Sequence, residues 1–232
     1  MKKNIFTRFT TTAALFFWIF LMPGAVFADT PLQKTEKIVQ ELEARYSGAD
    51  FSAKFHQRSI LAAIDVTDKA SGRAFFSHPG KMRWEYRQPQ TNQIITNGTT
   101  LWIYRPGENQ VVKGKALEFF KAGAGGAFLS DIQLVKKNYT IDLEKEEENF
   151  FQLILTPKEK RIEISSITIE VEKESYEIKT VTTKNSYGDT TELRFSNIRF
   201  TPLDASLFEF TVPPEADLLF MDNNDQEALT GQ

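Results

Sequence analysis

The chain has 232 residues, no cysteine, 28 lysines and arginines against 31 aspartates and glutamates, and a formal charge of −3. Without cysteine it can hold neither a disulfide framework nor a thiolate metal site, so a packed core must supply its stability. Mild acidity argues against a nucleic-acid partner and against charge-driven binding to an anionic membrane.

Lys2, Lys3 and Arg8 precede an apolar run from Ala13 to Leu21, followed by Pro23-Gly24-Ala25-Val26-Phe27-Ala28. A basic start, a short apolar run and a small residue at the break predict a secretory signal peptide over residues 1–28. The run is shorter than the ~20 residues of a membrane span. Cleavage after Ala28 removes three basic residues and no acid, moving the charge to −6 and leaving residues 29–232. That length suits one domain with a sizeable core. No cysteine follows the break, so lipid anchoring through an N-terminal cysteine is excluded.

The next stretch, Pro31 to Tyr46, has helical periodicity. Leu32, Val39, Leu42 and Tyr46 fall on one stripe with Ile38 beside it, and charged residues cover the rest. Thr30 is placed as N-cap, Pro31 takes the first helical position, and Ser47-Gly48 ends the helix. Phe51-Ser52-Ala53-Lys54-Phe55-His56-Gln57 then alternates as a strand.

Gly72 to Val112 reads as consecutive antiparallel strands, punctuated by Pro79-Gly80, Asn97-Gly98 and Pro106-Gly107-Glu108-Asn109. Asn97-Gly98 predicts a type I′ hairpin, with positive φ at both central positions. Met82, Trp84 and Tyr86 share one face of their strand, and Arg83, Glu85 and Arg87 the other. A sheet with one aromatic face and one charged face needs a cover for the aromatic one.

Lys115 to Lys137 supplies a candidate. Two short apolar helical stretches flank Ala122-Gly123-Ala124-Gly125-Gly126-Ala127. Each glycine costs a helix ~1 kcal/mol against alanine, so Gly123, Gly125 and Gly126 predict a hinge. Strand patterns return around Tyr139, Ile141 and Leu143, with Glu144 to Asn149 read as a turn. They continue through Phe151–Leu155, Ile167–Val171, Tyr176–Thr182, Leu193–Phe195 and a closing run from Leu207 to Val212. About ten strands with regular turns predict a mainly β fold: one strongly curved antiparallel sheet, an incomplete barrel, covered by short α-helices.

His56 and His78 lack metal-ligand spacing, no Gly-x-Ser-x-Gly elbow occurs, and Gly123-Ala124-Gly125-Gly126 lacks the Lys-Ser/Thr of a phosphate loop. Glu144 to Glu148 lacks calcium-loop spacing. No enzyme, metal or cofactor is predicted. A barrel lined by bulky aromatics under a glycine-hinged cover either packs dry or holds an apolar ligand.

The run Phe51-x-Ala53-x-Phe55-x-Gln57, the segment Pro79-Gly80-Lys81-Met82-Arg83-Trp84-Glu85-Tyr86, the later Pro89, the hairpin Asn97-Gly98-x-x-Leu101-Trp102-x-Tyr104-x-Pro106 and the closing Phe208-x-Phe210-x-x-Pro213 together resemble the LolA family. The resemblance spans nearly the whole chain after residue 28, including the leading helix and the mid-chain helical insert. It implies a monomeric periplasmic carrier with a hydrophobic cavity between half-barrel and helical lid. Such a carrier takes triacylated lipoproteins from a LolCDE-type ABC transporter and passes them to a LolB-type receptor where one exists. It also implies a lid latch just before the barrel-edge proline, where the family commonly has arginine and this chain has His78. Histidine offers at most two donors, so that latch is expected to be weaker, rearranged or responsive to acidification. Strand parity and the helical stripes then nominate Val39, Leu42, Phe55, Met82, Trp84, Tyr86, Leu117, Phe120, Phe128 and Leu129 as acyl-chain contacts. Two alternatives share the same fold: a carrier of other lipids or glycolipids, and a lipoprotein-sensing regulator. Such regulators usually carry a further C-terminal domain, for which no room is expected after Pro214.

Overall fold

The computed structural model describes residues 30–121, 129 and 132–221. The predicted signal peptide and the residues Gly123, Gly125, Gly126 and Phe128 fall outside them, as does the side chain of Phe120.

Helix α1 (Pro31–Tyr46) begins on a reciprocal cap: the Thr30 hydroxyl accepts from Gln33 N, and Gln33 Oε1 accepts from Thr30 N. Its buried stripe is Thr35, Ile38, Val39, Leu42 and Tyr46. Leu32 departs from the expected stripe and is 68% exposed, because α1 first meets the sheet one turn later, at Thr35.

The strands are β1 (Phe51–Leu61), β2 (Val66–Ser77), β3 (Lys81–Gln88), β4 (Asn92–Asn97), β5 (Thr100–Arg105), β6 (Gln110–Lys115), β7 (Tyr139–Glu146), β8 (Phe150–Pro157), β9 (Ser166–Glu172), β10 (Ile178–Lys184), β11 (Thr190–Phe200) and β12 (Asp217–Phe220). Helices α2 (Ala116–Lys121) and α3 (Ile132–Asn138) interrupt them between β6 and β7. All twelve strands form one sheet in the order β12-β6-β5-β4-β3-β2-β1-β11-β10-β9-β8-β7. The long central pair β1 and β11 joins two meanders, and β7 and β12 are the edges of an open, curved sheet.

Three expectations change. The sheet has two more strands than the pattern suggested. Leu207 to Val212 is not a strand: Ala205–Phe208 turns as a 3-10 helix, and the last strand, β12, follows the prolines and pairs parallel to β6. At the β4–β5 hairpin only Gly98 has positive φ, +95°, while the Asn97 carboxamide accepts from Thr99 N and Thr100 N. Asn97 thus builds the turn through its side chain rather than as half of a type I′ pair.

The inner face of the sheet, beneath α1, carries the main core. Phe51 stacks on Phe76 with centroids 4.5 Å apart, and Phe55 meets Trp84 edge-on at 4.8 Å. Gly72 sits where β2 and β3 shift register, and a Cβ there would lie 1.9 Å from Glu85 O and 2.9 Å from the Phe55 ring. Only glycine permits that approach. A smaller cluster on the outer face joins Ile95, Trp102 and Val111, covered by Phe210, Val212 and Leu218 of the C-terminal segment.

Candidate functional site

Between α1 and the strands after α3 lies a cavity whose walls are hydrocarbon. Val39, Leu42 and Tyr46 form its roof, Leu129 and Val135 close one side, and Ile141, Leu153, Leu155, Ile169 and Ile178 form its floor on β7 to β10. The floor follows from strand parity: alternate residues of β7, β8 and β9 point inward, so Ile141, Leu153, Leu155 and Ile169 share one face. The cavity measures about 30 Å³. Pockets that accept a small molecule measure ~300–1,000 Å³, so admitting an acyl chain requires the roof to lift or the side to swing away.

Among the described residues, the one polar side-chain group in the wall is the Tyr46 hydroxyl, which accepts a 2.9 Å hydrogen bond from Ile178 N. Burial pushes its pKa up to about 12, so the phenol stays neutral and presents no charge to the cavity. An apolar enclosure with its single oxygen already engaged offers burial and little else. Among the described residues, no three His, Asp or Glu side chains converge as a metal site.

Polar ties surround this apolar space. Leu143 N donates to the Thr35 hydroxyl at 3.2 Å, and Lys34 pairs with Glu146 of β7. Lys173 reaches the same carboxylate at 2.9 Å. Hydrogen bonds from Lys34 and Lys173 hold the Glu146 carboxyl below its ordinary value. At the other end of α1, Arg45 pairs with Glu177 at 2.8 Å and lies over the Phe200 ring. Glu43 accepts from Lys136 of α3 at 2.8 Å and from Gln133 at 2.9 Å, which links the two helices of the cover. Glu144 to Glu146 belong to β7, so the expected acidic turn contracts to the residues after Glu146.

The predicted contacts divide. Val39, Leu42 and Leu129 line the cavity. Phe55, Met82 and Trp84 are fully buried in the dry core under β1 to β3, and Tyr86 packs against the same core, with its hydroxyl donating to Gln57 Oε1 at 3.1 Å. Leu117 is 50% exposed on α2, away from the lining. Those four aromatic and methionine side chains fill one another's space, as large neighbours across adjacent strands do. The alternation of smaller aliphatic residues on β7 to β9 leaves room instead. That alternation was visible in the chain, but nothing local distinguished the floor of a cavity from core.

His78 stands at the end of β2, and its Nδ1 meets Ala49 O at 3.0 Å. The carbonyl belongs to the connection between α1 and β1, so the imidazole ties the sheet rim to the root of the roof helix. Its Nε2 is buried and has no hydrogen-bond partner among the described residues.

Residues 48–211 match the family described as outer membrane lipoprotein carrier protein LolA. An outer-membrane lipoprotein carrier protein from Cupriavidus pinatubonensis is 32% identical over 94% of this chain and 99% of its own length. A protein of the same name from Dechloromonas aromatica is 30% identical over 86% of this chain and 95% of its own. Among solved structures, an uncharacterised conserved protein from Thermus thermophilus superposes with a TM-score of 0.54 at 12% identity. That superposition covers 81% of this chain and 99% of the other, a likeness of fold.

Proposed function

Because this chain belongs to the LolA family of outer membrane lipoprotein carrier proteins, we propose that it shields the acyl chains of lipoproteins in the cavity beneath α1 and carries them across the periplasm. The observation that supports this reading is the chemistry of the cavity: ten lining residues among those described, nine of them without a polar side-chain atom, under a helix tied down by partly exposed ion pairs. Burying an acyl chain is worth ~0.8 kcal/mol per CH₂. Several chains therefore provide ample free energy to displace the cover, and release requires an acceptor that buries them as well. No bond is made or broken in this cycle.

In this proposal residues 1–28 direct export and are removed, and the rest acts as one domain. A LolCDE-type transporter loads it, and a LolB-type receptor unloads it where one is present. Gly123, Gly125 and Gly126 act as the hinge of the cover, and His78 as a tie at its root.

Native mass spectrometry tests the reading directly. The exported protein is incubated with inner-membrane vesicles that contain the transporter and a labelled lipoprotein. A one-to-one complex with the triacylated form, absent for an unacylated control, is the expected result. Recovery of free carrier together with a co-purifying glycolipid or fatty acid would assign the cavity to other lipids.

A further inference from the structure

The β1–β2 hairpin carries two features that the cargo cavity does not use. On its outer face, cations stand directly opposite one another: Lys54 faces Arg73, and Arg58 faces Lys69. Like charges in register disfavour a sheet, and none of these four forms an ion pair with a carboxylate among the described residues. Arg194 and His56, also opposite each other on β11 and β1, extend the row. Carboxylates also face the row and are held by other arginines: Glu192, opposite Arg58, pairs with Arg194 at 2.8 Å, and Glu85, opposite Arg73, pairs with Arg83 at 2.8 Å. Asp68 faces Ser59, which has the opposite parity, and Asp65 lies in the turn.

Beyond the cations the hairpin turns apolar. β3 ends opposite Ser71, so the tip runs past it, and Leu61, Ile64 and Val66 are exposed there, Ile64 to 66%. Two neighbouring loops add Tyr187, 70% exposed, and Ile162. Ala62 N donates to Asp189 Oδ1 at 2.8 Å, and Ser186 N to Ile162 O at 3.0 Å, which fastens the three loops side by side.

We propose that this hairpin is a membrane-docking element that seats its apolar tip in the interface of an anionic phospholipid bilayer. Arg58 and Lys69 stand three residues behind Leu61 and Val66, about 10 Å at strand rise. Interfacial elements bury their apolar part ~5–10 Å deep, which puts these two cations at the level of the phosphates, within reach of long side chains. Lys54 and Arg73 lie further out and add attraction across the aqueous layer. The order along the strands, cations and then an exposed apolar end, fits a bilayer better than an acidic protein surface, which would leave the tip without an apolar partner. The net acidity of the chain concealed this face, whose acidic neighbours Glu192 and Glu85 are each paired with an arginine. The inference does not depend on what the cavity carries.

Vesicle flotation of the exported full-length protein tests it. Phosphatidylglycerol–phosphatidylethanolamine vesicles should retain the protein at low salt, and pure phosphatidylcholine vesicles should bind about tenfold less. Ile64→Asp should abolish retention, and Arg58→Glu/Lys69→Glu should weaken it about tenfold and remove its salt dependence. All three positions are exposed, and unchanged tryptophan fluorescence verifies the fold, with Ile64→Ser as the milder tip variant. Binding that survives these substitutions would place the lipid contact in the cavity and overturn the proposal. Absence of binding to every vesicle, or a photo-crosslinker at position 64 that labels protein instead of lipid, would also overturn it.

Discussion

Tyr46 connects the roof of the cavity to its floor through one hydrogen bond, and its burial makes that connection depend on pH. Its pKa is pushed up to about 12 from an ordinary 10.0 by desolvation. A group whose folded pKa is raised contributes stability that is complete below the unfolded value and is lost as pH rises through the folded one. Stability should therefore hold through neutrality and fall between pH 10 and about 12, by on the order of 2–3 kcal/mol for this group. Tyr86, also pushed up to about 12 by burial, adds to the same window. Urea midpoints measured across it should drop for the parent protein and drop less for Tyr46→Phe, the remainder being due to Tyr86; an unchanged slope would mean that the Tyr46 phenol is hydrated. At this scale the sequence was partly legible. Tyr46 sat on the helical stripe, yet its partner, Ile178 N, lies 132 residues away and leaves no local trace.

In the proposed carrier cycle the element to test for access is α1. Its apolar stripe supplies three lining residues, and its polar flanks supply ties at both ends, to Leu143 and Glu146 near its start and to Glu177 and Ile178 near its end. Partly exposed ion pairs are individually weak, so several of them hold a cover without locking it. The native chain has no cysteine, which makes a crosslink easy to interpret. The hydrogen bond from Leu143 N to Thr35 Oγ1 at 3.2 Å marks where the roof meets β7, and makes this pair the place to introduce a crosslink. Thr35→Cys/Leu143→Cys should bind no acylated cargo when oxidised and recover on reduction. Full loading of the oxidised form would show that α3 and Leu129 move instead. The capping residues and periodicity made α1 legible to the residue. Glu144 to Glu146 misled because they open the acid-rich run Glu144-Lys145-Glu146-Glu147-Glu148, which resembles a solvated turn, whereas β7 is an edge strand whose Glu146 is claimed by two lysines from outside the strand.

At the scale of the whole molecule, one curved sheet has an inner face that serves the cavity and an outer face that is partly sealed by the chain's own C-terminal segment. Phe210 lies 6.2 Å from Trp102 and 5.5 Å from Tyr104 by ring centroids, over strands β4 to β6. Phe210→Ala should cost about 2 kcal/mol and red-shift the emission of Trp102, with Trp84 still buried and cargo loading intact. Loss of loading in that variant would indicate that the outer cover and the cavity are coupled. The sequence by itself determined the class of fold, the leading helix with its cap, the strand parity that separates Met82, Trp84 and Tyr86 from Arg83 and Glu85, and the likeness to the carrier family, because these are set by neighbours along the chain and by ordered motifs. Tertiary structure decided which apolar face stays open. Phe55, Met82 and Trp84 meet large partners across β1 to β3 and close on one another, whereas Ile141, Leu153, Leu155 and Ile169 line a small cavity opposite Val39, Leu42, Tyr46 and Leu129. Whether apolar side chains fill a space or line it depends on volumes brought together from a helix and strands far apart in the chain, and strand parity carries no information about those volumes.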